Sequence, residues 1–447
     1  MRLTSTVVVA GALAAFAAAS PVQNPPPVGP LSLRSHPAPQ SLAFESWKTF
    51  KANGVNLGSW MEIEVTYAPG VIGDGYDDEW TWCEAVGHAV CGPILEKHYA
   101  SYVTKADIDK IAQYGVNTVR IAMTYQAFYK VPGSQLYHGK QLHYLKKISE
   151  YAIKKYNMHV IIGLHSLPGG VNLLEIGEAV GHNYWWQNAT NMAHSLKVVD
   201  KVLDFIEASP YAKAYTFSPI NEPCDNITNI FTDKAVSYPS GVNWVNKYYF
   251  AIYKKIQERK MPNTLMLSDA YMGTPYWSKY WPAGSNIAFD THKYYFANEL
   301  ATSLTIVSSL HFILTKVLAD DLVSPQPELA CAAAKNATTN FPVYVGEFAT
   351  LAFANNTLSE RKTIVQTQIY AWSKYLSGGT FWNIKYLGNA TATGEGHAVS
   401  HLPQFLHDRI PYSQFLTLQR DYWSYENLID AGMLNKGGHL THVHKDC

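Results

Sequence analysis

Eight short, β-branched apolar runs recur along this chain, and segments with helical periodicity separate most of them. That alternation narrows the possible folds more than any other feature. The runs are 55–60, 118–123, 159–164, 215–220, 264–268, 286–290, 342–346 and 379–383. Segments 106–114, 142–155, 196–208, 242–259 and 360–376 repeat apolar residues every three or four positions, the spacing of one helix face. Strands that alternate with helices pair in parallel. Eight such units predict an α/β fold, a (β/α)8 TIM barrel with enlarged loops. A doubly wound open sheet is the competing architecture, but no glycine-rich phosphate loop follows the first strand. No segment repeats with the period of a solenoid or propeller.

A barrel of this kind carries its active site at the C-terminal ends of its strands. Polar residues collect there. The first run leads to Trp60, Glu62 and Glu64, which share one face if the strand continues. The second contains Arg120, the third ends at His165, and the fourth ends at Asn221 and Glu222. The sixth runs out to His292 and Tyr294, the seventh to Glu347, and the eighth carries Trp382. Two strings stand out, SPINEP (218–223) and VYVGEF (343–348), whose glutamates lie 125 positions apart. Alone, Asn-Glu-Pro could be a turn and Gly-Glu a cap. Delivered together from two strand ends, they are what glycosidic bond cleavage needs. One carboxyl is protonated to help the leaving group depart, and the other is ionised to attack or to activate water.

The ends and composition bound the rest. Arg2 followed by an apolar run over 7–19 and the triplet Ala17-Ala18-Ala19 reads as a signal peptide over 1–19. The run is short for a membrane anchor. Residues 20–42 are Pro-rich and without periodicity, a tail without a fold, and the catalytic domain is expected over 43–447. Export fits five Asn-x-Ser/Thr acceptors at Asn188, Asn226, Asn336, Asn355 and Asn389. The product is therefore expected to be secreted and extracellular. Five cysteines allow two disulfides. Spacing suggests Cys83 with Cys91 and Cys224 with Cys331, leaving Cys447 free. The chain holds 35 basic and 35 acidic residues without a long like-charged run, which argues against nucleic acid or an anionic membrane as partner. Thirty Tyr and twelve Trp suit a cleft that stacks on sugars. The tail residues His439, His442 and His444 read as solvated, so no metal is expected. No zinc-protease or serine-hydrolase motif occurs.

The motifs resemble glycoside hydrolase family 5, above all its fungal exo-β-1,3-glucanase branch. GVNLGSW with Glu64, NTVRIAMTYQAF, VIIGLHSLPGGVN, SPINEP, THKYYF, VGEF and FWNIK stand in that family's order, over about residues 45–390. The resemblance implies a retaining mechanism without cofactor or metal. Glu222 would be the acid/base and Glu347 the nucleophile, with carboxyls roughly 5 Å apart. Asn221 would hold the sugar 2-hydroxyl, and Arg120 would keep Glu347 ionised. His165, His292 and Tyr294 would line the subsite of the cleaved sugar. Glu64 would bind its distal hydroxyls and Trp382 would stack on its face. A β-glucan or β-glucoside would be the substrate and a monomer the working unit.

Four departures put the substrate in play. WMEIE adds Glu62. The third-strand loop reads LPGGVNLLEIGEAVGHNYWW instead of a short Gly-Ser-Gln-Asn form. Ile384 replaces a second Trp, and 297–341 is long enough for a lid-like insertion. Exo-cleavage of β-1,3-glucan is the leading expectation. Release of a disaccharide such as rutinose from plant glycosides, as related branches do, is the alternative. A sugar-binding module without catalysis is a third reading, which the presence of both glutamates disfavours.

Overall fold

The computed structural model describes residues 42, 44–65, 67–229, 232–294, 326–350, 358–386, 423–445 and 447. The expected signal peptide, most of the Pro-rich tail, Asn355, Asn389 and most of 297–341 lie outside these residues. Eight parallel strands close a barrel in sequence order. They are β1 Ala52–Asn56, β2 Thr118–Met123, β3 His159–Leu164, β4 Tyr215–Ser218, β5 Leu265–Ser268, β6 Ile287–Lys293, β7 Val343–Phe348 and β8 Gly378–Phe381. The barrel is therefore the expected TIM architecture.

Helices cover the outside. They are α1 Glu79–Val86, α2 His88–Ser101, α3 Lys105–Ala112, α4 Gln141–Tyr156, α5 Ala189–Glu207, α6 Ser240–Glu258, α7 Thr274–Ser278, α8 Gln326–Asn336, α9 Leu358–Tyr375 and α10 Tyr425–Asp430. Their ends follow local chemistry. A reciprocal capping box joins Thr104 and Asp107 at the start of α3. Asn188 caps α5 through Thr190 and Asn191, and Asn157 ends α4 in the left-handed region. The pair α1–α2 was not anticipated, because Val90 and Ile94 are exposed and blur the apolar stripe of α2.

The strand walls separate two kinds of packing. Outward residues such as Val55, Val119, Val160, Phe217, Leu267 and Val345 are wholly buried under the helices. Inside, Trp47, Ala52, Ile161, Met266, Ala288 and Tyr344 form a smaller apolar layer. The indole N–H of Trp47 donates to Thr216 Oγ1 at 2.8 Å, which anchors this plug at the N-terminal end of the strands. The next positions on the same inward faces are Asn56, Arg120 and Asp290, two residues beyond Gly54, Thr118 and Ala288. The interior thus turns polar toward the C-terminal ends.

Two expectations are corrected. The first strand starts and ends earlier than read, so Trp60, Glu62 and Glu64 do not share a strand face. The chain leaves β1 after Asn56 and turns at Ser59, whose φ is 55°. Gly58 permits this turn, since a Cβ there would lie 2.4 Å from the ring of Trp382. The described part of the long 297–341 stretch includes α8, which packs against α9, and the rest of the expected lid-like insertion lies outside the described residues.

The second correction concerns the cysteines. Cys83 pairs with Cys91 as expected, closing the α1–α2 corner. Cys331 pairs with Cys447, not with Cys224, and Cys447 is not free. The reason is position. Cys331 lies on α8 at the outside of the barrel, where Lys374 and Tyr375 hold the carbonyl of Cys447. Cys224 is buried beside the end of β4, and burial pushes its thiol up to about 12.

These assignments predict thiol chemistry. Without reductant, Ellman's reagent should find no reactive thiol in the folded protein and one per chain after denaturation. Reactivity of Cys447 in the native state would refute the pairing. Cys331→Ser should cost about 2–4 kcal/mol of stability by releasing a long loop, read as a lower urea midpoint.

Candidate active site

Arg120, on β2, is 1% exposed and reaches residues delivered by five other strands. Its Nη1 donates to Glu347 Oε1 at 2.8 Å and to Asn56 Oδ1 at 3.0 Å. It also contacts His165 Nε2 at 3.1 Å, and Nη2 donates to Asn221 Oδ1 at 2.9 Å. Nε lies 3.6 Å from Asp290 Oδ2. Because a guanidinium only donates, each contact orients its partner. Asn221 must turn its oxygen to Arg120, which leaves its amide N–H groups, without a partner among the described residues, for another acceptor. His165 must accept on Nε2, so its proton is on Nδ1. Burial, then the charges of Arg120 and His292, hold this ring well below the usual imidazole range and keep it neutral.

Glu347 and Glu222 meet over this guanidinium. The register of β6 and β7 shifts between Thr291 and His292, so His292 pairs with Glu347 instead of Gly346. Strict alternation from Tyr344 would have aimed Glu347 outward. Its Oε2 accepts from the hydroxyl of Tyr294 at 2.7 Å. Glu222 follows β4 with a φ of 44°, a strained conformation for a residue with a side chain. Its Oε1 lies 2.6 Å from His292 Nδ1, and the hydroxyl of Tyr271 lies against it. One carboxylate oxygen from each glutamate and a ring nitrogen of His292 all lie within 4.8 Å of one another. That separation suits direct attack and is too short for a water between the carboxyls.

The charges work against burial. Burial disfavours a charge on His292, yet Glu347, Asp290 and Glu222 outweigh it and push the ring up to about 10. At neutral pH His292 is therefore an imidazolium that donates Nδ1–H to Glu222. Burial raises the Glu347 carboxyl, while His292, Arg120 and the Tyr294 hydroxyl pull it down and Glu222 pushes it further up. Arg120 is thus one of two cations that pull the Glu347 carboxyl down, His292 being the stronger, and burial is the largest single influence.

The rim comes from the β1–α1 loop. Ser59 Oγ brackets the backbone of Glu64, donating to its carbonyl at 3.0 Å and accepting from its N–H at 3.1 Å. His98 and Tyr99 of α2 hold the carbonyls and indole of Ser59 and Trp60. Among the described residues Glu64 Oε1 is buried without a partner, and burial raises both Glu64 and Glu62 well above the usual carboxyl range. Glu62 is no solvated surface residue: it is 2% exposed and accepts from Ser166 Oγ at 3.0 Å. In the long β3–α5 loop, Glu178 is buried and accepts from Gly169 N and faces His182 Nδ1, both at 2.9 Å. Trp382 stacks on His165 with centroids 5.5 Å apart, and Tyr67 meets Trp382 and Trp423 edge-on. Asn226 donates its amide N–H, the glycan attachment atom, to Lys234 O at 3.0 Å, while Asn336 is exposed.

Sequence reading passed over Asn56, Asp290, Tyr67, Tyr271 and Trp423. Asp290 carried a signal, since it stands two residues before His292 on one strand and so shares its face. Trp423 carried none.

Two outcomes follow. A Cβ at residue 346 would lie 1.9 Å from Asp290 Oδ1, so Gly346→Ala should abolish turnover or folding; retained wild-type kcat would contradict this packing. The second is pH dependence. Glu79, buried beside the rim, is raised to about 7, first by burial. A raised group stabilises the fold fully below its unfolded pKa and loses that contribution as pH climbs through the folded one. For Glu79 the loss spans about 4.5 to 7, and for His292 about 6.5 to 10. Urea unfolding should therefore show stability falling from pH 5 to pH 9. Glu79→Gln should flatten the lower part of that fall.

The family model for Cellulase (glycosyl hydrolase family 5) matches residues 83–388. The chain is 29% identical over 315 residues to the "Probable glucan 1,3-beta-glucosidase A" of Aspergillus niger, covering 69% of this chain and 67% of that protein. It is 27% identical to the "Glucan 1,3-beta-glucosidase 1" of Schizosaccharomyces pombe, covering 55% and 58%. It thus spans little over half to two thirds of these curated relatives. Among solved structures, a rutinosidase from Aspergillus niger is 39% identical with a TM-score of 0.74, covering 88% of this chain and 100% of that one.

Proposed function

The chain belongs to glycosyl hydrolase family 5, and from that premise we propose that it hydrolyses β-glucosides with Glu222 as acid/base and Glu347 as nucleophile. The observation that carries this is the approach of the two glutamates within 4.8 Å at the C-terminal ends of β4 and β7.

Glu347 attacks the anomeric carbon from below. Its bonds from Arg120 and Tyr294 hold both oxygens, so the attacking lone pair is aimed rather than free to rotate. Glu222 gives its proton to the departing glycosidic oxygen. His292 engages Glu222 Oε1, and the proton given to the glycosidic oxygen is assigned to Oε2. Once Glu347 is esterified its charge is gone, and Glu222 is ionised and takes a proton from the attacking water. The unpartnered amide of Asn221 is poised to donate to the sugar 2-hydroxyl, and Nδ1–H of His165 and the free oxygen of Glu64 to meet neighbouring hydroxyls. Trp382 offers its remaining face to the ring.

Two substrate readings rest on different supports. The glucan reading rests on the names of the relatives from Aspergillus niger and Schizosaccharomyces pombe. The disaccharide reading rests on a likeness that is higher in identity and runs the full length of the rutinosidase. The buried carboxyls Glu62 and Glu178, on loops that depart from the glucanase pattern, also favour it. The protein is further proposed to act outside the cell as a monomer; among the described residues no helix is long and apolar enough to cross a membrane.

Product chromatography separates the readings. Glucose from linear β-1,3-glucan with rutin untouched supports the first, and intact rutinose from rutin with the glucan untouched supports the second. Glu222→Gln should lower kcat/KM on such natural substrates by ~100-fold or more, but far less on aryl glucosides whose leaving group needs no proton. Equal losses on both would remove Glu222 from the acid role.

A further inference from the structure

Among the described residues, both oxygens of Asp290 are buried without a hydrogen-bond partner, and so are Nε of Arg120 and Nε2 of His292. These four atoms face one another. Asp290 Oδ2 lies 3.6 Å from Arg120 Nε, and Oδ1 lies 3.6 Å from His292 Nε2. A carboxylate at 1% exposure persists only beside compensating charge, and here two cations supply it. The chain also makes room for it, since the place of a Cβ at Gly346 is filled by its carboxylate.

We propose that Asp290 is a positioning residue that, by facing Nε2 of His292, keeps Nδ1–H donated to Glu222 and so directs the Glu222 proton to the leaving group. This rests on the reading of Glu222 as the acid. Charge explains why a second, non-reacting carboxylate is needed. In the free enzyme Glu347 and Asp290 oppose Arg120 and His292. In the glycosyl-enzyme Glu347 is neutral, and Glu222 and Asp290 oppose the same two cations. The charge of the site floor is then equal in both halves of the cycle, and Asp290 is its constant member. Asp269 beyond β5 and the neutral His165 beyond β3 also act on His292. Without Asp290, a neutral ring can place its one proton on Nε2. Nδ1 then accepts the Glu222 proton and turns the acid away from the glycosidic oxygen.

The test is Asp290→Asn, equal in size, with kcat/KM measured across pH on a natural glucoside and on an activated aryl glucoside. The alkaline limb for the natural substrate should move at least one unit toward acid. The activated substrate should keep its limb, and KM should change little. A lower Tm with both limbs unmoved would mean Asp290 is merely structural and would overturn the proposal. Should the variant fail to fold, ¹⁵N-histidine NMR on the wild type decides. His292 should show protons on both ring nitrogens at about pH 8, and a singly protonated ring there would overturn the proposal. Glu222→Gln keeps the two readings apart. Equal loss on both substrates refutes the acid assignment itself. Discrimination by Glu222→Gln with unmoved limbs in Asp290→Asn refutes only the role of Asp290.

Discussion

A guanidinium sealed from water at the centre of a barrel must find acceptors for its N–H groups or destabilise the fold. Arg120 finds them on β1 and β7 and just after β3 and β4, while its Nε faces the Asp290 carboxylate of β6 at 3.6 Å. No two neighbouring strands could supply them alone, so the barrel has to close in the right register for the guanidinium to be satisfied. The same bonds orient what they touch. The Asn221 amide, the His165 tautomer and one oxygen of Glu347 are all decided by a group that can only donate. A lysine ammonium, lacking the planar fork, would leave those orientations open. Stability and chemistry here share one set of contacts.

The electrostatics of the site are correspondingly tight. Burial opposes every charge near Arg120, and each survives only because a neighbour of opposite sign lies close. His292 is charged because three carboxylates surround it, against the pull of burial. Glu62 and Glu64, raised first by burial and further by neighbouring carboxyls, are pushed toward the neutral acid instead.

Much of this was legible in the residues, and what was not has particular causes. β2 and β3 coincide with the runs 118–123 and 159–164 because each is continuously apolar, and both faces of a parallel barrel strand are buried. β1 was displaced because the run 55–60 stays apolar after its backbone has turned, and Ser59 carries no marker of its positive φ. Glu222 and Glu347 were visible through their strings. The bulge that turns Glu347 inward was not, since alternation cannot reveal a skipped pairing. Asp290 and Asn56 are polar residues inside strands, and their meaning depends on Arg120, four strands and one strand away. The cysteine partners were misread because spacing says nothing of which side of the barrel a residue occupies.

The bond between Cys331 and Cys447 changes the topology of the molecule as well as its thiol count. It spans 116 positions, so β7, Glu347, β8, Trp382 and Trp423 all belong to one covalent ring. A single cut anywhere on that ring opens it without freeing either piece. The strand that carries the nucleophile would therefore stay tethered to the barrel it completes. In a medium that contains proteases, a nicked molecule keeps all its catalytic parts together until the disulfide is reduced.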